Sequence, residues 1–141
     1  MQILVPVDGS ARANRAVAYA LLLASRADAE ITLVNVQNRE TLDLSDVSSV
    51  MSVGTDKEFA VRRSEKALRT AVQLCRDARV KFSARSALGP IAEIINRIAR
   101  ETKADQIVMG TRGFGPLRGF VLGSVAARVV HLASVPVTLV K

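Results

Sequence analysis

A single cysteine and a single histidine in 141 residues leave little for redox or metal chemistry. Cys75 has no C-x-x-C partner and no His/Cys cluster around it, so the chain builds neither an internal disulfide nor a zinc site. It reads as a packing residue on a helix. His131 stands near the end of the last expected helix with no Ser or Cys nucleophile beside it in the pattern. That reads as a histidine meeting the negative end of the helix dipole, ahead of a catalytic base. No apolar run approaches the roughly 18 residues of a membrane span. The N-terminus, Met1-Gln2-Ile3-Leu4-Val5-Pro6-Val7-Asp8, has no basic lead-in and reaches an aspartate too soon for a secretory signal. The expected location is the cytoplasm. A dense basic run is also missing. The net charge of +7 and pI of about 10.5 invite a nucleic-acid reading, but the arginines are scattered from Arg12 to Arg128 and Arg62-Arg63 is the one adjacent pair. Solvated helix faces account for the charge, with anionic small molecules or acidic partners as the other reading.

What is present is an alternation of short apolar runs and helical patterns over a length suited to one domain, residues 1–141. Residues 2–7 read as a buried strand ending in the turn Asp8-Gly9-Ser10. Ser10 is placed to cap a helix carrying Ala13, Val17, Ala20, Leu21 and Ala24. Glu30 to Val36 is a second strand. Residues 38–56 are rich in serine and aspartate without apolar periodicity, and so read as a functional flap or a poorly ordered segment. A helix over 57–79, a strand over 80–88, and a helix begun by Gly89-Pro90 and marked by Ile91, Ile94, Ile95 and Ile98 follow. A strand over 105–109, a helix over 124–132 and a strand over 135–140 complete the pattern. This is an α/β, open doubly wound parallel sheet with helices on both faces. In such a sheet ligands bind beyond the carboxyl ends of strands, where strand order reverses.

Five of the eight glycines lie between Gly110 and Gly123. Glycine loses more freedom on ordering than other residues, so a compensating bound ligand is one explanation for so many and a plain corner-turning loop is another. Gly110 and Gly113 follow a strand, and Gly123-Ser124 opens a helix. Backbone N–H groups and a helix N-terminus can there meet a polyanion, with Arg112 and Arg118 countering its charge. No lysine occurs between Lys103 and Lys141, which excludes G-x-x-x-x-G-K-[ST], and the spacing is wrong for G-x-G-x-x-G after the first strand. The pattern Gly110-x2-Gly113-x9-Gly123-Ser124 instead resembles the G-x2-G-x9-G-[ST] signature of the ATP-binding branch of the universal stress protein family. The resemblance runs along the chain through ILVPVDGS at 3–10, LVNV at 33–36, IVMGTRG at 107–113 and LGSVAARVVHLASVPV at 122–137.

That resemblance implies a five-stranded, Rossmann-like sheet of order 3-2-1-4-5, related to adenine nucleotide alpha hydrolases, with ATP between the first and fourth strands. Carried over by position, Pro6, Val7 and Asp8 would line the adenine and ribose end, and Val36 would pack near the base. Met109, Gly110, Arg112 and Gly113 would follow ribose and phosphates, while Gly123, Ser124 and Val125 would hold the phosphate tail. Magnesium would accompany the ATP. Ala126 stands where many members carry Ser or Thr, and Gly119 where a charged or bulky residue is frequent. Neither departure breaks the signature. On residues alone, Asp8 also fits a turn former or cap, and Phe114 and Phe120 fit loop anchors.

The last strand is apolar, and pairing with a second copy would cover its edge, beginning beyond Pro136, which lacks a donor. The family commonly pairs there too. The resulting expectation is a homodimeric, nucleotide-dependent regulator or sensor in the stress response. The alternatives are a slow ATPase or phosphotransferase and a nucleotide-free interaction module. Phosphoryl transfer needs an oriented nucleophile and usually a metal held by a carboxylate; with Asp8 as the one obvious carboxylate and no evident base, efficient catalysis is not expected. AMP or a cyclic nucleotide stays open as the ligand.

Overall fold

A computed structural model describes residues 1–38, 56–111 and 122–141. The elements are β1 (Gln2–Pro6), α1 (Ala11–Ala27), β2 (Glu30–Gln37), α2 (Asp56–Asp77), β3 (Phe82–Leu88), α3 (Ile91–Glu101), β4 (Gln106–Gly110), α4 (Ser124–Leu132) and β5 (Val137–Val140). All pairings are parallel and the sheet order is β3-β2-β1-β4-β5, as expected.

β1 sits at the centre because its side chains are apolar on both faces. Ile3, Leu4 and Val5 are all 0% exposed. Successive residues of a strand point to opposite faces. Ile3 and Val5 therefore join Ile31 and Leu33 under α1 and α2, while Leu4 joins Val34 and Ile107 under α3 and α4. Each such aliphatic side chain contributes about 1.5–3 kcal/mol by leaving water. α1 meets the sheet with small residues, Ala13, Ala16, Ala20 and Ala24, which lets its backbone lie close. Ser10 caps it as expected: its Oγ accepts from the Ala13 N–H at 3.1 Å. α3 shows the cleanest stripe, with Ile94, Ile95 and Ile98 buried together. Cys75 is fully buried on α2, in the packing role expected of it. Burial pushes its thiol from 9.0 up to about 11.

Several boundaries differ from the expected ones for local reasons. α2 stops at Asp77 because Arg79 turns left-handed at φ 54° and the Val80 N–H bonds back to the Cys75 carbonyl, so β3 begins only at Phe82. Pro90 occupies the N-cap of α3 and not its first helical position. β5 starts at Val137, just past Pro136, whose carbonyl still accepts from the Ile107 N–H at 2.9 Å. β1 ends at Pro6, although the Val7 N–H still reaches the Val34 carbonyl at 2.8 Å. Among the described residues no helix is long and apolar enough to cross a membrane. Most of the 38–56 segment lies outside the described residues.

Candidate functional site

The two neighbours at the point where strand order reverses are β1 and β4, and they part company early. Their ladder covers Ile3↔Gln106 and Leu4↔Ile107, while β1 stays paired with β2 as far as Pro6↔Val34 and β4 with β5 as far as Gly110↔Val140. The sheet therefore splits at its carboxyl end between β1 and β4. A crevice at that position is where open α/β sheets take ligands.

The β1 side of the split is a tightly specified turn. Pro6 is half-buried and Val7 is buried. Asp8 is exposed, and its Oδ1 accepts the Ser10 N–H at 2.9 Å. The turn-forming role of Asp8 is thus realised, and its carboxylate still faces solvent. Gly9 has φ 85°, and a Cβ there would stand 3.2 Å from the Cα of Ala67 on α2. Both the backbone conformation and the close approach require glycine. Val36 and Met109 flank the end of β1 from β2 and β4, packed in the same layer above α3 and α4.

The β4 side begins with Gly110, half-buried opposite Val140, and continues to Thr111, whose N–H bonds to the Val140 carbonyl at 3.0 Å. The Gly123 N–H then donates to the Thr111 carbonyl at 2.9 Å. That bond ties the far end of the glycine-rich segment back to the strand and brings the start of α4 to the crevice. Gly123 is the N-cap and has no side chain with which to satisfy the first helical N–H groups. Ser124 and Val125 are exposed there. Arg112 and Gly113, with Arg118, Phe114, Gly119 and Phe120, lie outside the described residues. Pro6, Val7, Asp8, Val36, Met109, Gly110, Gly123, Ser124 and Val125 are carried by the strand and helix ends around one split. His131 is exposed in the last turn of α4, about 10 Å along the axis from its start. The described residues hold no group of three or more His, Cys, Asp or Glu that could bind a metal.

Sequence reading overlooked a buried polar cluster beside the turn. Asn35, Gln37 and Ser64 are 2%, 9% and 2% exposed. The Asn35 Nδ2 donates to the Val7 carbonyl at 2.7 Å, and its Oδ1 accepts from Gln37 Nε2 at 2.6 Å and Ser64 Oγ at 2.8 Å. The available signal was an asparagine inside EITLVNVQ, a strand otherwise buried on both faces. A separate groove of about 370 Å³ between α2 and β3, bordered by Leu68, Arg69, Arg76 and Ala84, contains none of the expected site residues.

The model of the universal stress protein family matches residues 1–141. The chain belongs to that family. A putative universal stress protein of Staphylococcus epidermidis is 34% identical over 141 residues, covering 99% of this chain and 82% of that protein. A universal stress protein of Methanocaldococcus jannaschii is 32% identical over 143 residues, covering 99% and 81%. Among solved structures, a universal stress protein from Archaeoglobus fulgidus superposes with a TM-score of 0.78 at 25% identity, covering 100% of this chain and 98% of that one. A universal stress protein from the same organism in complex with dAMP gives 0.75 at 24% identity, with coverage of 100% and 98%. An Arabidopsis thaliana family member with AMP bound gives 0.69 at 21%, with coverage of 100% and 90%. At these identities the two complexes establish the shared fold.

Proposed function

We propose that this universal stress protein binds an adenine nucleotide, ATP with magnesium, in the split between β1 and β4 and acts as a dimeric, nucleotide-dependent regulator in the cytoplasm. The observation that carries the reading is the split itself. β1 runs out into Pro6, Val7 and Asp8 on one side and β4 ends at Gly110 on the other, with Gly123 tied to Thr111, and in this reading these residues and Ser124 line it. Related folds hold dAMP and AMP, which supports the ligand class. In this assignment Val36 and Met109 give the base an apolar neighbourhood, and the uncapped start of α4 meets the phosphates through backbone N–H groups. Arg112 and Gly113 take their signature roles along the ribose and phosphates, and Val125 closes the tail. Magnesium fits the donor set, since it is usually held by one or two carboxylates together with substrate phosphates. Asp8 provides an exposed carboxylate with one oxygen engaged in its own turn.

A regulatory role is favoured over turnover because the solitary histidine is exposed at the far end of α4. The dimer is assigned to β5. Among the described residues it has one neighbour in the sheet, and Leu139 on it is 36% exposed. A second copy paired there would cover an apolar edge.

Calorimetric titration of nucleotide-stripped protein with ATP and magnesium, AMP and cyclic AMP tests the reading, together with mass spectrometry of small molecules released on denaturation. Saturable ATP binding is expected, lost in Gly113→Val with the circular dichroism spectrum unchanged. No heat with any of the three ligands and no released nucleotide overturns it.

A further inference from the structure

We propose that Asn35 is a positioning residue for the crevice: by holding the Val7 carbonyl it sets the direction in which Asp8 leaves the sheet, and Ser64 makes that setting depend on α2. The inference rests on the nucleotide reading above and names how that same site is controlled.

The hydrogen-bonding capacity of Asn35 is committed on both ends of its amide. Its donor goes to the Val7 carbonyl and its oxygen receives Gln37 and Ser64. The other backbone group of Val7, its N–H, is held by the Val34 carbonyl. The peptide planes on both sides of Val7 are therefore fixed from β2, and Asp8 follows immediately. An amide that supplied only core packing would have no reason to be polar at 2% exposure. Burying it unpaired would cost more than an aliphatic side chain of similar size.

α2 touches the same turn at two points. Ser64 acts on it through Asn35, and Ala67 packs against Gly9. Residues three apart lie on one helix face. A movement of α2 along or about its axis thus reaches both the Val7 carbonyl and the Gly9 backbone, and ligand occupancy at Asp8 is felt by α2 in return.

Two substitutions separate positioning from packing. Asn35→Asp keeps the oxygen that receives Gln37 and Ser64 and replaces the donor to Val7 with a second oxygen. Ser64→Ala leaves the donor to Val7 and the bond from Gln37 in place and removes only the hold that α2 has on the amide. Calorimetric Kd values for ATP and AMP, thermal midpoints, and ¹H–¹⁵N shifts of the Asp8, Gly9 and Ser10 amides without nucleotide are measured for each. Binding is expected to weaken about tenfold in Asn35→Asp and about threefold in Ser64→Ala. The double variant should be no weaker than Asn35→Asp alone, because Ser64 acts through Asn35. The three turn amides should shift in both single variants while those of α3 stay in place.

Lowered midpoints with unchanged Kd values and unmoved turn amides overturn the proposal, and so do losses that multiply in the double variant. If Asn35→Asp fails to fold, Ser64→Ala decides by the same criteria. If the unaltered protein binds no adenine nucleotide, the functional reading falls, and the turn amides alone decide whether Asn35 positions the turn.

Discussion

Replacing Gly9 with alanine imposes two separate costs at the mouth of the crevice. The residue has φ 85°, where an L side chain costs roughly 1–2 kcal/mol in backbone energy. The new methyl would also stand 3.2 Å from the Cα of Ala67 and 3.6 Å from its carbonyl oxygen, which are backbone atoms of a helix and cannot rotate away. Relief requires α2 to move by a few tenths of an ångström. Overpacking of this kind costs about 1–3 kcal/mol. The sum is about 2–5 kcal/mol, a large share of the ~5–15 kcal/mol that separates native from unfolded states. Urea unfolding followed by circular dichroism reads the loss as a lower midpoint with an unchanged slope. Scanning calorimetry should show a fall of roughly 3–4 °C for each kcal/mol at this chain length. A Gly9→Ala variant within about 0.5 kcal/mol of the parent would refute the reasoning, since surface changes without strain fall in that range.

Ser10→Ala removes the side-chain cap of α1 and should cost about 1 kcal/mol in the same urea experiment, with Ser10→Asp recovering most of it. Cys75 should resist alkylation in the native state and react on unfolding. Because burial raises its pKa from 9.0 to about 11, its contribution to stability is complete below pH 9.0 and is lost as pH rises toward about 11; Cys75→Ala should flatten that alkaline decline. Glu93 has a lowered pKa, chiefly from its own backbone N–H and next from Arg128, whose Nε and Nη2 both donate to it at 3.1 and 3.0 Å. A depressed carboxylate stabilises above its unfolded pKa and loses that effect as pH falls through the folded one, so Glu93→Gln should shallow the acid limb of a stability profile.

The architecture was legible where pattern and burial coincide. Ile3-Leu4-Val5 announces a strand covered on both faces, and the spacing of Ile94, Ile95 and Ile98 announces a helix lying on one. β3 was harder, because an edge strand reading FSARSAL has little to bury and its start depends on the left-handed Arg79 that ends the preceding helix. The glycine spacing, through the family it resembles, directed attention to the space between β1 and β4, but not to the residue at which their ladder ends. That end point is set by ladder register, which one strand's sequence does not encode alone. Asn35 escaped notice for a related reason: its role depends on a carbonyl 28 residues earlier and a hydroxyl 29 residues later.

The central place of β1 has a consequence for biosynthesis. Gln2 and Asp105, which join the amino ends of β1 and β4, are 103 residues apart. At ~5–20 residues per second, roughly 5–20 s of translation separates the emergence of the two strands. Through that interval one edge of the most apolar strand has no neighbour from its own chain. The nascent polypeptide thus exposes its middle before its margin exists, and a holdase that shields an extended apolar segment would act on β1 within that interval.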